Sequence, residues 1–321
     1  MNKHSALSTS GSLLERAAEI YDFGSALSRA RQTAPQPQPR STTIEESCAA
    51  PPVQRFEPVQ QVASPARTQR QASLEARSPG RRGTVDKASL AEAGYILPDA
   101  PVTGLAEEFR IIKRRLLLGV GRPGLSEEKG RSILICSAQP DEGKTFCAVN
   151  LALSLAGEKD VEILLVDGDF PKPEILSTLG LEGVEGLIDA IADPRIDPES
   201  LVIGTDIRGL SVLPAGRLVN NVTELLASGR TREVLAALTG ANPRRLVLFD
   251  SPPALVASPA TVLATHVGQL VMVVRADRTT EADLKEAVGL LSGCEDISLI
   301  LNGAGFAANG RRFGSYYGYG Q

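Results

Sequence analysis

Eight residues, Ala138-Gln139-Pro140-Asp141-Glu142-Gly143-Lys144-Thr145, lie between the apolar run Ile133-Leu134-Ile135-Cys136 and a helical pattern from about Lys144 to Ala156. No other feature limits the fold of this chain so strongly. A small residue, four more, Gly-Lys and a hydroxyl is the spacing of a phosphate-binding loop. Backbone N–H groups wrap the anion, and Gly143 lets the main chain come close. Lys144 supplies a point charge for the β- and γ-phosphates, and the Thr145 hydroxyl can ligate Mg²⁺. The helix that follows turns its positive dipole end toward the phosphates. A chain with 30 glycines can match such a pattern by accident. A strand before the loop and a helix after it are what an accident would lack.

The remaining apolar runs repeat the strand–helix alternation. They are Ile163-Leu164-Leu165-Val166, Leu210-Ser211-Val212-Leu213, Leu246-Val247-Leu248-Phe249, Leu270 to Val274 and Ile297 to Leu301. Helical patterns at Val222–Leu226, Thr231–Leu238 and Glu281–Leu291 fall between them. Short continuous apolar strands read as buried on both faces. The expected class is α/β and P-loop NTPase-like, a mainly parallel sheet with helices on both faces. Ahead of it, Leu105, Phe109, Ile112 and Leu116 share one face of a helix that also carries charged side chains.

Two strand ends carry acids: Asp167-Gly168-Asp169 after Val166, and Asp250-Ser251-Pro252-Pro253 after Phe249. Ligands of open α/β sheets bind outside the carboxyl ends of strands, so these acids can converge on the loop. Magnesium takes a few carboxylates together with water and substrate phosphate. Thr145, Asp169 and Asp250 are the expected metal set. An isolated acid at a strand end is most simply a helix cap, but two such strands beside a phosphate loop favour the metal.

Composition changes toward both termini. Thr33 to Gly80 holds eight of the 21 prolines and a single aromatic, Phe56, too little apolar surface to offset the entropy of ordering. The expected organisation is a short helical region over 1–30, opened by a capping box at Ser12-Leu13-Leu14-Glu15, and a disordered Pro-rich linker over 31–86. A catalytic domain over 87–306 and a flexible tail over 307–321 complete it. The tail interleaves Tyr316, Tyr317 and Tyr319 with glycines, which suits an exposed phosphoryl acceptor. No apolar run reaches the roughly 20 residues of a membrane span. With the spacing of Cys48, Cys136, Cys147 and Cys294, this points to a cytoplasmic chain without a disulfide framework. Two histidines, His4 and His266, argue against a histidine-built metal site, and a net charge of −4 gives no reason to expect nucleic acid.

The loop, Asp167-x-Asp169, Asp250-x-Pro252 and the tyrosine tail together resemble the bacterial tyrosine kinases, P-loop autokinases of capsule and exopolysaccharide loci. The N-terminal helix and Pro-rich linker resemble the branch found at exosortase-associated loci. The resemblance covers about residues 85 to 321, and it implies γ-phosphoryl transfer from MgATP to a tyrosine hydroxyl. In that reading Lys144 stabilises the transferring group, Asp167 orients or deprotonates the phenol, and Asp169 takes part in the chemistry. The nucleotide is cradled by Ala138, Gln139, Pro140, Asp141, Glu142, Gly143, Lys144, Thr145 and Phe146, with Asn302 at the adenine. Glu107, Arg110 and Lys113 resemble the family's ring-forming Glu-x-x-Arg-x-x-Arg motif, with Lys in the last place. Pro171 stands where the family usually has Arg. The resemblance also implies a homo-oligomeric ring and a membrane activator of the chain-length or co-polymerase type, which would recruit the chain to the inner face of the membrane.

Two other functions share the fold. A partitioning or cell-division ATPase would carry a second lysine where this loop has Gln139, and it would have no use for a tyrosine tail. A nucleotide-binding regulatory subunit without kinase activity is the other, left open by Pro171.

Overall fold

The computed structural model describes residues 81–98 and 100–304. The expected N-terminal helix, most of the Pro-rich linker and the three tail tyrosines lie outside them. The described chain builds an eight-stranded sheet from β1 (Arg81–Gly83), β2 (Ser132–Ser137), β3 (Glu162–Asp167), β4 (Ile203–Thr205), β5 (Leu210–Leu213), β6 (Arg245–Asp250), β7 (Gln269–Arg275) and β8 (Ile297–Asn302). Their order across the sheet is β1-β4-β5-β3-β6-β2-β7-β8. Six strands run parallel. β4 pairs antiparallel with β5 and parallel with β1, so these two form a reversed extension at one edge.

Alternate residues of the central strands feed two apolar layers. Leu134, Leu164, Val166, Val247, Phe249 and Met272 face one side, where they pack with Leu187, Leu226, Leu235 and Leu263. Ile133, Ile135, Ile163, Leu165, Leu248 and Val271 face the other, with Phe109, Leu116, Leu151 and Leu155. Covering helices therefore lie on both sides, which is why these strands read as unbroken apolar runs. Phe249 is fully buried, and cutting such a ring back to Ala typically costs about 3–5 kcal/mol.

Four longer helices frame the sheet: α1 (Gly104–Gly119), α2 (Lys144–Ala156), α3 (Gly229–Gly240) and α4 (Glu281–Leu290). Thr103 caps α1 by accepting from the N–H of Ala106. Thr280 and Asp283 close a reciprocal box at the start of α4. Helix α2 is buried almost all round, wedged between the sheet and α1.

Arg81–Gly83 forms a strand although its composition assigned it to the linker, and the β4 strand had no counterpart among the expected elements. Both have only three residues. Pairing with a neighbour, not an apolar period of their own, makes them strands. Short helices at Ile175–Leu179, Leu187–Ala192 and Pro259–Ala264 were likewise unmarked. Among the described residues, no helix is long and apolar enough to cross a membrane.

Candidate active site

The eight-residue loop leaves the carboxyl end of β2, between β6 and β7, and enters α2. Its turn uses two left-handed residues, Asp141 at φ 61° and Gly143 at φ 91°. Glycine is required at 143 on two counts. The positive φ strains any side chain, and a Cβ would strike the Asn302 amide. Glu142 is completely buried within the loop. Its carboxylate accepts from the Gln139 N–H at 2.9 Å and from the Thr279 hydroxyl, so the loop is tied internally and to the segment after β7.

Asp167 and Asp250 are register partners at the tips of β3 and β6. Asp167 is 1% exposed, and its two oxygens accept from the N–H groups of Asp169 at 3.3 Å and Ile175 at 3.0 Å. Burial pushes its pKa up to about 6, against the pull of those two bonds. Asp250 is fully buried, and neither carboxylate oxygen has a hydrogen-bond partner of good geometry. Burial raises its pKa to about 7. The Lys144 ammonium and the Thr145 hydroxyl are near enough to oppose that shift without closing a bond of good geometry. Lys144 instead pairs with Asp169 at 2.6 Å. Burial works against its charge, but Asp250 and Asp169 outweigh burial and hold its pKa above the ordinary lysine value.

No protein-family model matches the chain. It is 28% identical over 223 residues to the putative tyrosine-protein kinase CapB of Staphylococcus aureus, covering 69% of this chain and 92% of that protein. It is 27% identical over 236 residues to the tyrosine-protein kinase YwqD of Bacillus subtilis, covering 73% and 94%. The crystal structure of the VpsO kinase domain superposes with a TM-score of 0.53 at 31% identity, over 63% of this chain and 95% of that one. The chain belongs to the bacterial tyrosine kinases.

In this kinase the loop, Lys144, Thr145 and Asp169 open on a cleft of about 410 Å³, a size typical of small-molecule sites. Asp169 lines the cleft, whereas Asp167 and Asp250 lie behind it. Among the described residues, no group of three or more His, Cys, Asp or Glu forms a ready-made metal cage.

Asn302, expected at the adenine, donates its side-chain amide to the Glu142 carbonyl at 2.8 Å and covers the loop beside Gly143. It is a brace for the loop. Thr279, which matches no motif, both ties down Glu142 and accepts from the Arg275 N–H at 2.8 Å. Gln139 reaches Asp283 of α4 at 3.3 Å. A lone Thr in a loop after a strand carries no sequence signal, and only the return of β7 beside β2 gives it a role.

Glu107 and Arg110 pair with each other on the open side of α1. Lys113 turns inward, donating to the Ser154 carbonyl at 2.9 Å and pairing with Glu158 at 2.8 Å. It lies four residues after Phe109, which puts it near the core-facing stripe of the helix. At the cleft mouth Pro171 is followed by Lys172, which pairs with Glu174 at 2.7 Å.

Proposed function

We propose that this kinase transfers the γ-phosphate of MgATP to tyrosines of its own C-terminal tail, Tyr316, Tyr317 and Tyr319, in the service of exopolysaccharide production. The observation that carries the nucleotide and metal part is Asp250. A fully buried carboxylate whose oxygens lack partners is costly, and a cation delivered with a nucleotide offsets that cost. Thr145 and Asp250 would hold magnesium, which would neutralise charge on the phosphates.

The protein's own groups do the rest. The loop N–H groups from Ala138 to Thr145 cradle the phosphates, and Phe146 follows them into α2. Lys144, released from Asp169 when phosphate arrives, follows the γ-phosphoryl group. A bond forms between the phenolic oxygen and phosphorus, the bond to ADP breaks, and the phenolic proton leaves to a nearby carboxylate. Asp169 lines the cleft and is our choice for that acceptor. Asp167, whose oxygens are engaged by backbone N–H groups, acts by holding the Asp169–Ile175 turn in place. A phenol with a pKa near 10 needs such help at neutral pH.

Glu107 and Arg110, on the open side of α1, support assembly into a ring in which one subunit's tail enters the next subunit's cleft. A membrane chain-length protein is the expected activator. The likeness to the chimerical protein CapA2B2, 26% identical to this chain, is in keeping with that reading. The test is to incubate the full chain with MgATP and map phosphotyrosine by intact mass and tail peptides. Phosphate on Tyr316, Tyr317 or Tyr319, absent in Lys144→Met, supports the reading. Release of inorganic phosphate without phosphotyrosine overturns it.

A further inference from the structure

The cleft has two chemically different ends. Its inner end is ionic, with Lys144, Thr145 and Asp169. Its outer wall carries the apolar groups of Tyr95, Phe146, Pro252, Pro253 and Val256, with Lys172, Glu174 and Thr178 beside them. Val256 is 62% exposed, so this apolar lining continues out to the surface. A ligand that fits both ends carries a reactive oxygen at one end of a flat apolar body, which describes a phenol.

Tyr95 is the only tyrosine among the described residues, and it lies in this wall. Its ring and that of Phe146 are 5.0 Å apart at 42°, a tilted aromatic pair. The segment is fixed from both sides of the ring. Its own N–H donates to the Leu90 carbonyl at 2.9 Å, and the N–H of Ile96 donates to Asn150 of α2 at 2.7 Å. Asn150 is itself completely buried and bonded to the Phe146 carbonyl at 3.0 Å. Tyr95 is thereby anchored to the same helix that carries Lys144 and Thr145. Asn302, which braces the loop beside Gly143, does not line the cleft. The apolar wall therefore does not include the loop's Asn302 brace.

We propose that Tyr95, stacked on Phe146, is a specificity-determining residue that receives the aromatic ring of the acceptor tyrosine. This rests on the tyrosine-transfer reading above and adds to it a place for the ring. A rigid aromatic wall offers an incoming ring an offset or edge contact at little conformational cost, and serine or threonine cannot use that contact. The ring of Tyr95, not its hydroxyl, makes the contact.

The experiment uses the full chain and a synthetic peptide of residues 310–321 as acceptor. Steady-state constants for peptide and for ATP are measured in wild type, Tyr95→Leu and Tyr95→Phe. Tyr95→Leu is expected to raise KM for the peptide about tenfold, equivalent to about 1.4 kcal/mol, with ATP affinity within about twofold of wild type. Tyr95→Phe keeps the ring and is expected to behave like wild type. Unchanged ATP affinity also reports that the leucine variant is folded. Should Tyr95→Leu weaken ATP and spare the peptide, the wall serves the nucleotide base and the proposal fails. It fails equally if neither constant moves, or if Tyr95→Phe is as impaired as Tyr95→Leu. A wild type that binds ATP yet phosphorylates no tyrosine overturns the transfer reading itself, a result distinct from these.

Discussion

The tips of β3 and β6 place two buried aspartates side by side, and the two are opposites. Asp167 spends both oxygens on backbone N–H groups and so belongs to the scaffold. Asp250, one strand over, spends neither. Strand-end position, burial and residue type are shared, so the hydrogen bonds alone separate the two, and they are the ground for proposing Asp250 and not Asp167 as a metal residue. Burial without partners is expensive and persists where function requires it, whereas burial with partners needs no functional account.

Three measurements would break or sharpen this contrast. The largest effect is expected from Asp250→Asn, which keeps the shape and removes the charge. Phosphotyrosine formation should fall by about 10²–10³-fold, the loss typical of deleting one electrostatic contributor in a catalytic site. The extra thermal stability given by MgADP over ADP alone should vanish. If that magnesium-dependent gain survives, Asp250 is not a metal residue.

A smaller effect is expected on stability with pH in the metal-free protein. A carboxyl with a folded pKa of about 7 binds its proton more tightly folded than unfolded. Stability is then highest below the unfolded value near 3.9, falls as pH rises through the folded value, and stays low above it. Other groups titrate in the same window, including Asp167 near 6 and His266, whose pKa burial lowers. The informative quantity is therefore the difference between wild type and Asp250→Asn, measured from pH 4.5 to 8 in chelator. The variant should be relatively more stable above pH 7, and a difference independent of pH would refute the assignment.

The smallest effect belongs to Asp167→Asn. An amide retains one acceptor oxygen where the carboxylate uses two, so one backbone N–H loses its partner. Unfolding by denaturant should show a loss of about 1–3 kcal/mol with or without magnesium. No change in stability would show that the turn does not depend on this side chain.

The sequence made the six long strands legible because each is an apolar run with a turn at its end, and it made the loop legible because phosphate chemistry fixes both residue types and spacing. The place of Asp250 at a strand end beside that loop was legible too, since it closes one of those apolar runs. β1 and β4 were not, since three residues carry no period. Thr279 and Tyr95 were not either. Each gains its meaning from a residue far along the chain, Glu142 for one and Phe146 for the other. The division of labour between Asp167 and Asp250 was also beyond the sequence. It depends on where two N–H groups point.

One feature of α1 reaches further than its position suggests. Lys113 grips Ser154 and Glu158 at the carboxyl end of α2, and the amino end of α2 carries Lys144 and Thr145. Thirteen helical residues make a rod of about 20 Å, stiff on the scale of the loop it supports. The outer helix α1 and the phosphate loop are therefore joined to opposite ends of one helix. Were assembly at α1 to depend on nucleotide at the loop, nucleotide binding would depend on assembly to the same degree.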